Sequence, residues 1–536
     1  MSTARDFDAL LDEPVDEIPE PIGTRIDDWW LRQSVRVHSL LRWGAPALVV
    51  VIAALTRLVG LGHPKELVFD ETFYVKDAWT LFNLGYESSW PADSDPQFNA
   101  GQTDIFTSDA SFVVHPPLGK WLIALGMAAL GPDNPVGWRI STALAGILGV
   151  ILLMVVARLL FRSMVLATLA GFLFAIDGNA IVMSRVALLD NFVMLFALVG
   201  FIFVLLDRRF SAVRLAAWIA RTPEEKRDWG PALWWRPWLL AAGLAFGATA
   251  AVKWNGFYFL AFFAVYTLAV DALARRRAGI PFWFSGTVFK QAPISFLLTV
   301  PIAVAAYLST WIGWFITRGG YYREWADDPA NAWGGALASV PRAVQSFWHF
   351  QVSVYDYHVG ESRPHGYQAN PLTWLLMVRP TSMYYRGSTL GENGCGYNLC
   401  GESIAGIANP LIWWAATAAV LYLVYRLLRY REWRVGFILM GVAAGYLPWL
   451  LYLGRTVFQF YTIAFEPYLL LALVAVGGII LGSRDDPSWR RLSGIRLVLV
   501  FLGVAVLVSA YYWPLWTAMQ VDYVFLASHW WLPTWR

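Results

Sequence analysis

The chain has 536 residues, of which 57% are hydrophobic and only 15% are charged. Soluble domains carry about 25% charged residues, so this composition excludes an ordinary soluble protein. The net charge is only +3, and no overall field of the kind that attracts nucleic acid results from it. The chain is predicted to be an all-α, polytopic membrane protein.

The first 30 residues are acidic and punctuated by proline, as in DFDALLDEPVDEIPEP. High charge with low hydrophobicity favours disorder, so 1–30 is predicted to be a disordered tail in the cytoplasm.

Apolar runs of about 20 residues, long enough to cross a bilayer, recur after this tail. The segment 116–131 is also apolar but short, and we interpret it as a juxtamembrane or re-entrant helix. Eleven transmembrane helices are predicted, near 45–61, 138–157, 164–183, 191–206, 237–254, 256–273, 292–315, 410–428, 435–453, 461–481 and 497–514.

Arginine is concentrated in every second connection between these spans, beginning before the first one. Because Lys and Arg collect in short cytoplasmic loops, this alternation predicts a cytoplasmic N-terminus and an outside C-terminus. A transmembrane domain over 45–515 would then be followed by an outside tail, 516–536. Two outside loops, 62–137 and 316–409, are long enough to suggest a function.

Charged residues collect at the predicted outer membrane face. Asp70 and Glu71 follow the first span, and a partly desolvated carboxylate there could act as a base, although a solvated or helix-capping pair is the alternative. Arg57 lies inside the first apolar run and could hold a lipid phosphate or reach the interface. Further charges at the same face are Arg139, Arg185, Asp190 and Lys253.

The outside loops add histidines and the two cysteines of the chain. His115 precedes two prolines, and His358 and His365 lie in 316–409, with spacings that match no metal motif. Cys395 and Cys400 are five positions apart in an oxidising location, which predicts a stabilising disulfide.

Several ordered stretches resemble the protein O-mannosyltransferase family. The first joins Arg57 to Asp70-Glu71 in LVFDETFY, the second is HPPLGK with His115 and Lys120, and the third is SRVALLD with Arg185 and Asp190. The segment that contains His365, Trp374 and Arg379 is similar to a later outside segment of that family. Because 316–409 is too short for the large β-rich domain of eukaryotic relatives, the chain looks like the bacterial form.

The resemblance implies a GT-C glycosyltransferase fold, a polyprenyl-phosphate-mannose donor and a Ser or Thr acceptor on exported polypeptide, with inversion. It makes Asp70 the candidate general base, supported by Glu71. Arg57, Arg139 and Arg185 become candidates for the donor phosphate. Outer-site support is expected from Asp190, His115, Lys120, His365, Trp374 and Arg379.

Several points stay open at this stage. No cofactor is predicted, although Asp70 and Asp190 could ligate a divalent metal as in other enzymes of this fold. The expected location is the plasma membrane, with the site facing outside and a translocon as a further potential partner. A glycolipid or cell-wall glycan acceptor is the first alternative, and a transporter or flippase is the second.

Overall fold

The computed structural model describes residues 32–483 and 486–536. The predicted disordered tail, 1–30, lies outside the described residues. The helices run over Val35–Leu58, Glu71–Leu84, Asp95–Asn99, Leu118–Leu130, Pro135–Phe161, Met164–Ile176, Gly178–Arg185, Asp190–Arg221, Pro237–Val252, Gly256–Arg277, Trp283–Thr310, Ile312–Ile316, Arg342–Gly360, Pro410–Tyr430, Trp433–Tyr446, Glu466–Leu481, Ser488–Thr517 and Tyr523–Ala527.

Every predicted span coincides with a helix, but not every helix is long enough to cross a membrane. In the described ranges, eight helices meet the length and composition that a span requires, and a bent pair gives a ninth. The helices Pro237–Val252 and Glu466–Leu481 have 16 residues each. The helix Leu118–Leu130, with 13 residues, is too short to cross, in line with the interpretation of 116–131.

The predicted span over 164–183 is divided into two helices that meet at 61°. Asp177 separates them in an extended conformation (φ −73°, ψ 139°). Its carboxylate accepts hydrogen bonds from the amides of Asn179 and Ala180 and so caps the second helix. A residue with helix-capping geometry cannot continue the preceding helix, and this produces the bend.

Two of the spans begin with the same N-terminal capping motif. Asn134 and Asn409 each accept a hydrogen bond from the amide two residues later, at 3.0 and 3.1 Å, and each is followed by proline at the first helical position. Proline has no amide hydrogen to leave unpaired there, and its fixed φ suits the first turn. These caps set where the two helices enter the bundle.

Burial separates central helices from peripheral ones. The most apolar window is 67% buried in Asp190–Arg221 and 61% in Pro135–Phe161, but only 17% in Ser488–Thr517 and 11% in Val35–Leu58. The last two therefore present most of their apolar surface outward, as helices in contact with lipid do. The chain is a multi-pass membrane protein.

A small antiparallel sheet departs from the all-α prediction. Its strands are β1 (Ser382–Thr389), β2 (Leu399–Ala405) and β3 (Val521–Asp522), in the order β1-β2-β3. The disulfide between Cys395 and Cys400, with Cα atoms 5.8 Å apart, closes the turn that leads into β2. Most of the chain is helical nonetheless, and the sheet occupies one region of the large loop 316–409 and the C-terminal segment.

The orientation of the bundle in the membrane remains a prediction from the arginine distribution. We expect accessibility tags at the C-terminus and within 316–409 to react from outside the cell, and tags in 222–235 to react only after permeabilisation. Labelling of single-cysteine variants of intact cells would measure this. The same reactivity at 222–235 and 316–409 would contradict the topology.

Candidate active site

Asp70 lies where the loop after the first span turns into the helix Glu71–Leu84. It occupies the N-cap position with φ −71° and ψ −2°, and its side chain makes no capping hydrogen bond. The preceding Phe69 has a left-handed φ of 51° and packs edge-on against Phe458 and Phe460 at 5.6 and 5.7 Å. The loop is therefore held by aromatic contacts, while the Asp70 carboxylate stays partly exposed.

Glu71, unlike Asp70, is fully buried. Its carboxylate accepts two hydrogen bonds from Arg139 at 2.8 Å, one from the Val68 amide at 3.0 Å and one from the Ala187 amide at 2.7 Å. Four donors leave no oxygen for a substrate. The catalytic support expected of Glu71 is replaced by a structural role that joins the loop, the helix Pro135–Phe161 and the segment after Gly178–Arg185.

Arg139 is committed in the same way. Besides Glu71, its guanidinium donates to the backbone carbonyls of Leu61, Pro64 and Glu66, so that all five of its N–H groups are used. The side chain is completely buried. The prediction that Arg139 contacts the donor phosphate is not supported, since no N–H group is left to donate to it.

Arg57 and Arg185 also bond to backbone rather than facing an open site. Arg185 donates to the carbonyls of Val59 and Gly60 at 2.7 and 2.9 Å and thereby caps the end of Val35–Leu58. Arg57 is completely buried and donates to the carbonyls of Phe174 and Ala175, at the bend of the broken span. The geometry thus gives both residues helix-end roles in place of the predicted phosphate contacts.

The residues around Asp70 come from distant parts of the chain. Lys253 forms an ion pair with Asp190 at 3.0 Å, and its Nζ lies 4.1 Å from the centre of the Tyr461 ring. Burial raises the pKa of Asp70 to about 6, opposed first by the charge of Lys253, while Asp190 raises it further. Asp190 therefore pairs with Lys253.

Two stacked histidines lie beside this group. The rings of His115 and His358 are 5.4 Å apart, and His115 lies 6.0 Å from the ring of Tyr74. Arg455, which can only donate, bonds to Nδ1 of His358 at 2.8 Å, so Nε2 of His358 carries the proton and donates to the Val114 carbonyl. Burial lowers the pKa of His358 to about 4 and that of His115 well below its usual value, so both rings are neutral.

Lys120 belongs to a second buried cluster further along Glu71–Leu84. It forms an ion pair with Glu87 and lies 3.9 Å from Asp77. Burial raises the pKa of Asp77 to about 7, and the Lys120 charge opposes this rise. Lys120 is therefore the counter-ion of two carboxylates.

The remaining predicted support residues organise the long loop 316–409. His365 is exposed and contacts Phe69 edge-on at 6.0 Å. Trp374 is completely buried and donates to the Ala369 carbonyl. Arg379 donates to the carbonyls of Gly366 and Arg536 and so joins the loop to the C-terminal segment. Only His365 touches a residue adjacent to Asp70.

The small sheet braces the loop that carries Asp70. Tyr384 of β1 donates to Glu66 at 2.8 Å, and Arg386 of β1 is paired with Glu402 of β2 at 2.8 Å. Glu402 lies 3.5 Å from His63, which belongs to the same loop as Glu66. The disulfide and the sheet thus act on the position of the loop rather than on the reacting groups.

Tyr74, Lys253, Tyr461, His358 and Arg455 are site residues that the sequence-based selection left out. Lys253 carried a signal, since it is a cation directly after an apolar run, and His358 was noted only as one of the loop histidines. Tyr461 and Arg455 carried none that a single sequence reveals. Within 32–483 and 486–536, no cluster of three or more His, Cys, Asp or Glu is arranged to hold a metal ion.

Family comparisons agree along the whole length of the fold. A family profile described as dolichyl-phosphate-mannose-protein mannosyltransferase matches residues 47–313. A second profile, described as the C-terminal four TMM region of protein-O-mannosyltransferase, matches residues 343–535.

Individual relatives cover nearly the complete chain. A polyprenol-phosphate-mannose–protein mannosyltransferase of Mycolicibacterium smegmatis (strain MKD8) is 31% identical over 504 residues, which are 92% of this chain and 93% of the relative. A protein of the same name from Mycobacterium tuberculosis (strain CDC 1551 / Oshkosh) is 30% identical over 508 residues, 93% of either chain. The S. cerevisiae Pmt1-Pmt2 complex bound to the sugar donor is similar in fold, with a TM-score of 0.67 at 16% identity and 94% coverage of both chains.

Proposed function

The chain belongs to the protein O-mannosyltransferase family, and we propose that Asp70 is the general base with which it transfers mannose from a polyprenol-phosphate carrier to hydroxyl groups of proteins. The fold is the GT-C glycosyltransferase fold. The assignment of Asp70 rests on its position, since the residue is partly exposed next to a fully engaged Glu71. Burial and the charge of Asp190 raise the pKa of its carboxylate.

The proposed reaction has a single displacement. The acceptor hydroxyl of Ser or Thr loses its proton to Asp70 as its oxygen attacks C1 of mannose, and the bond from C1 to the phosphate oxygen breaks with its electron pair going to the phosphate. Attack from the face opposite the leaving group inverts the anomeric configuration. A hydroxyl needs such a base because it is a weak nucleophile near neutral pH.

The leaving phosphate needs positive charge, and we propose that Arg455 supplies it in place of Arg57, Arg139 and Arg185. Arg455 is partly exposed, and its Nε is a buried donor with no hydrogen-bond partner in the described residues. Its Nη2 bonds to neutral His358 rather than to a carboxylate, so its charge is not neutralised there. Lys253 is a second cation near Asp70, although it forms an ion pair with Asp190.

We also propose the placement of this machinery. The transmembrane domain covers 45–515, the loops 62–137 and 316–409 and the tail 516–536 face the outside of the plasma membrane, and the acceptors are exported polypeptides that arrive from a translocon. The arginine-rich connections support this orientation. A divalent metal remains a matter for assay, and the reaction as written has no step through one.

A direct assay tests the function. Purified enzyme should transfer labelled mannose from synthetic polyprenyl-phosphate-mannose to a Thr-rich peptide, and not to the same peptide with Thr replaced by Val. A matched reaction with a glycolipid acceptor provides the comparison. Transfer to the glycolipid but not to the peptide would overturn the assignment of a protein acceptor.

The pKa of Asp70 predicts how the rate depends on pH. A base is active when deprotonated, so with a pKa of about 6 the active fraction, and with it kcat/KM, is full above that value and is lost as the pH falls through it. We expect kcat/KM to be about tenfold lower at pH 5 than at pH 7. Initial rates at subsaturating acceptor and fixed donor, with protein integrity checked at both values, measure this. Equal rates at pH 5 and 7 would contradict Asp70 as a base with this pKa.

A further inference from the structure

A cavity of about 640 Å³ lies at the end of the bundle remote from Asp70. It opens between the helices Pro135–Phe161, Asp190–Arg221, Gly256–Arg277, Pro410–Tyr430 and Trp433–Tyr446. Its volume is within the range of about 300–1,000 Å³ that small-molecule sites occupy. None of the residues assigned above to mannosyl transfer lines it.

Helix geometry places this cavity on the opposite membrane face. Asp190 begins the helix Asp190–Arg221, and Arg209 of the same helix lines the cavity. The nineteen residues between them rise about 28 Å at 1.5 Å each. The hydrocarbon core of a bilayer is about 30 Å thick, so the two sites face opposite leaflets.

The cavity combines apolar walls with an excess of positive charge. Leucines such as Leu159, Leu205 and Leu273 form part of its walls. Seven arginines line it, namely Arg162, Arg208, Arg209, Arg275, Arg277, Arg431 and Arg434, against two carboxylates.

Both carboxylates pair with arginines that do not line the cavity. Asp271 is paired with Arg236 at 2.6 Å, although Arg236 also pairs with Asp207, and Glu432 accepts a hydrogen bond from Arg426 at 3.0 Å. Two carboxylates with partners of their own leave an excess of positive charge among the seven lining arginines.

Three of the lining arginines are available to a ligand. Arg209, Arg277 and Arg431 are exposed, and none of them has a carboxylate partner among the described residues. A preference for arginine in cytoplasmic loops would explain exposed arginines on loop surfaces. It does not explain why they border an apolar cavity between helices.

We propose that this cavity binds the headgroup of an anionic phospholipid of the adjacent leaflet, with the acyl chains along its leucine-lined walls. Guanidinium groups recognise phosphate oxygens by paired, charge-assisted hydrogen bonds. Basic pockets between transmembrane helices on the cytoplasmic side are a known form of lipid site. The negative headgroup of such a lipid matches the arginines of the cavity, and its apolar acyl chains match the leucine-lined walls.

The test compares two double variants of the full chain that remove the same charge from the same two helices. Arg209→Gln with Arg277→Gln changes the cavity, whereas Arg214→Gln with Arg276→Gln changes exposed arginines outside it. Binding of phosphatidylglycerol and of phosphatidylcholine to purified protein is measured by native mass spectrometry, with inorganic phosphate as competitor. Mannosyl transfer in lipid-free detergent reports whether each variant is intact.

We expect the wild-type protein to bind phosphatidylglycerol at least about tenfold more tightly than phosphatidylcholine. The cavity variant should lose about tenfold in that affinity, and the control less than about twofold, while both retain transfer activity. Equal affinity of the wild-type protein for the two lipids would overturn the proposal, as would equal losses in the two variants. Full displacement of the lipid by millimolar inorganic phosphate would identify a free-phosphate site instead.

Discussion

Replacing Asp70 by asparagine should lower mannosyl transfer at least roughly 100-fold, since loss of a general base costs about 10²–10⁴ in rate. The amide keeps the size of the carboxylate but cannot accept the proton of the acceptor at neutral pH. Donor affinity should survive, because the phosphate is assigned to Arg455. Removal of a nearby negative charge does not weaken the binding of an anionic donor. Turnover and donor binding of the purified variant measure the two effects separately.

Asp93→Asn is the matched control, since Asp93 is exposed in the same outside loop. It should keep near-normal turnover. If a monodisperse Asp70→Asn protein also kept near-normal turnover, Asp70 would be structural, and Asp190 would become the leading candidate despite its pairing with Lys253.

Breaking the pair of Glu71 and Arg139 should unfold the protein rather than impair chemistry alone. Both side chains are completely buried, and removal of one partner of such a pair typically costs about 3–5 kcal/mol. Arg139→Met leaves the Glu71 carboxylate without its counter-ion and the carbonyls of Leu61 and Pro64 without their donor. We expect most of this variant to be lost as aggregate, with normal donor affinity in any folded fraction.

A double variant with Glu71→Leu and Arg139→Met tests the cause, because it removes both buried charges and should recover part of the lost stability. The exposed pair of Arg318 and Glu324, at 3.5 Å, is the control, and its removal should cost less than about 1 kcal/mol. The free energy of unfolding in detergent is measured for the single variant, the double variant and the control. A stable Arg139→Met protein with weakened donor binding would restore the phosphate role that the sequence suggested.

Asp70 and Glu71 show what sequence reasoning could predict about the site. The sequence selected both carboxylates as candidates, and the structure separates them, with Asp70 partly exposed and Glu71 buried. The donor-phosphate role of Arg57, Arg139 and Arg185 stays a prediction, although each of them bonds to backbone carbonyls in the structure. A helix end offers both open space and unpaired carbonyls to a nearby guanidinium, and a single sequence does not tell which of them it meets.

Contacts between residues far apart in the chain could not be predicted from the sequence. The apolar runs predicted where helices lie, because crossing a bilayer constrains length and composition. The ion pair of Lys253 with Asp190, the contact of Lys253 with Tyr461 and the bend at Asp177 depend on tertiary contacts that leave no local pattern. The sheet of β1, β2 and β3 was also missed, although β1 and β2 pair within residues 382–405 and only β3 comes from a distant segment.

The origin of the site in four separated stretches also bears on the order in which the protein is made. Asp70 and Asp190 leave the ribosome well before Lys253, and Tyr461 follows Asp70 by about 390 residues, or about 20–80 s at typical synthesis rates. In the first part of that interval the nascent chain lacks Lys253, and to its end the chain lacks the Tyr461 ring that packs against this lysine. The catalytic site is therefore completed late in biogenesis. A chain arrested before its last third would contain Asp70 but not Tyr461.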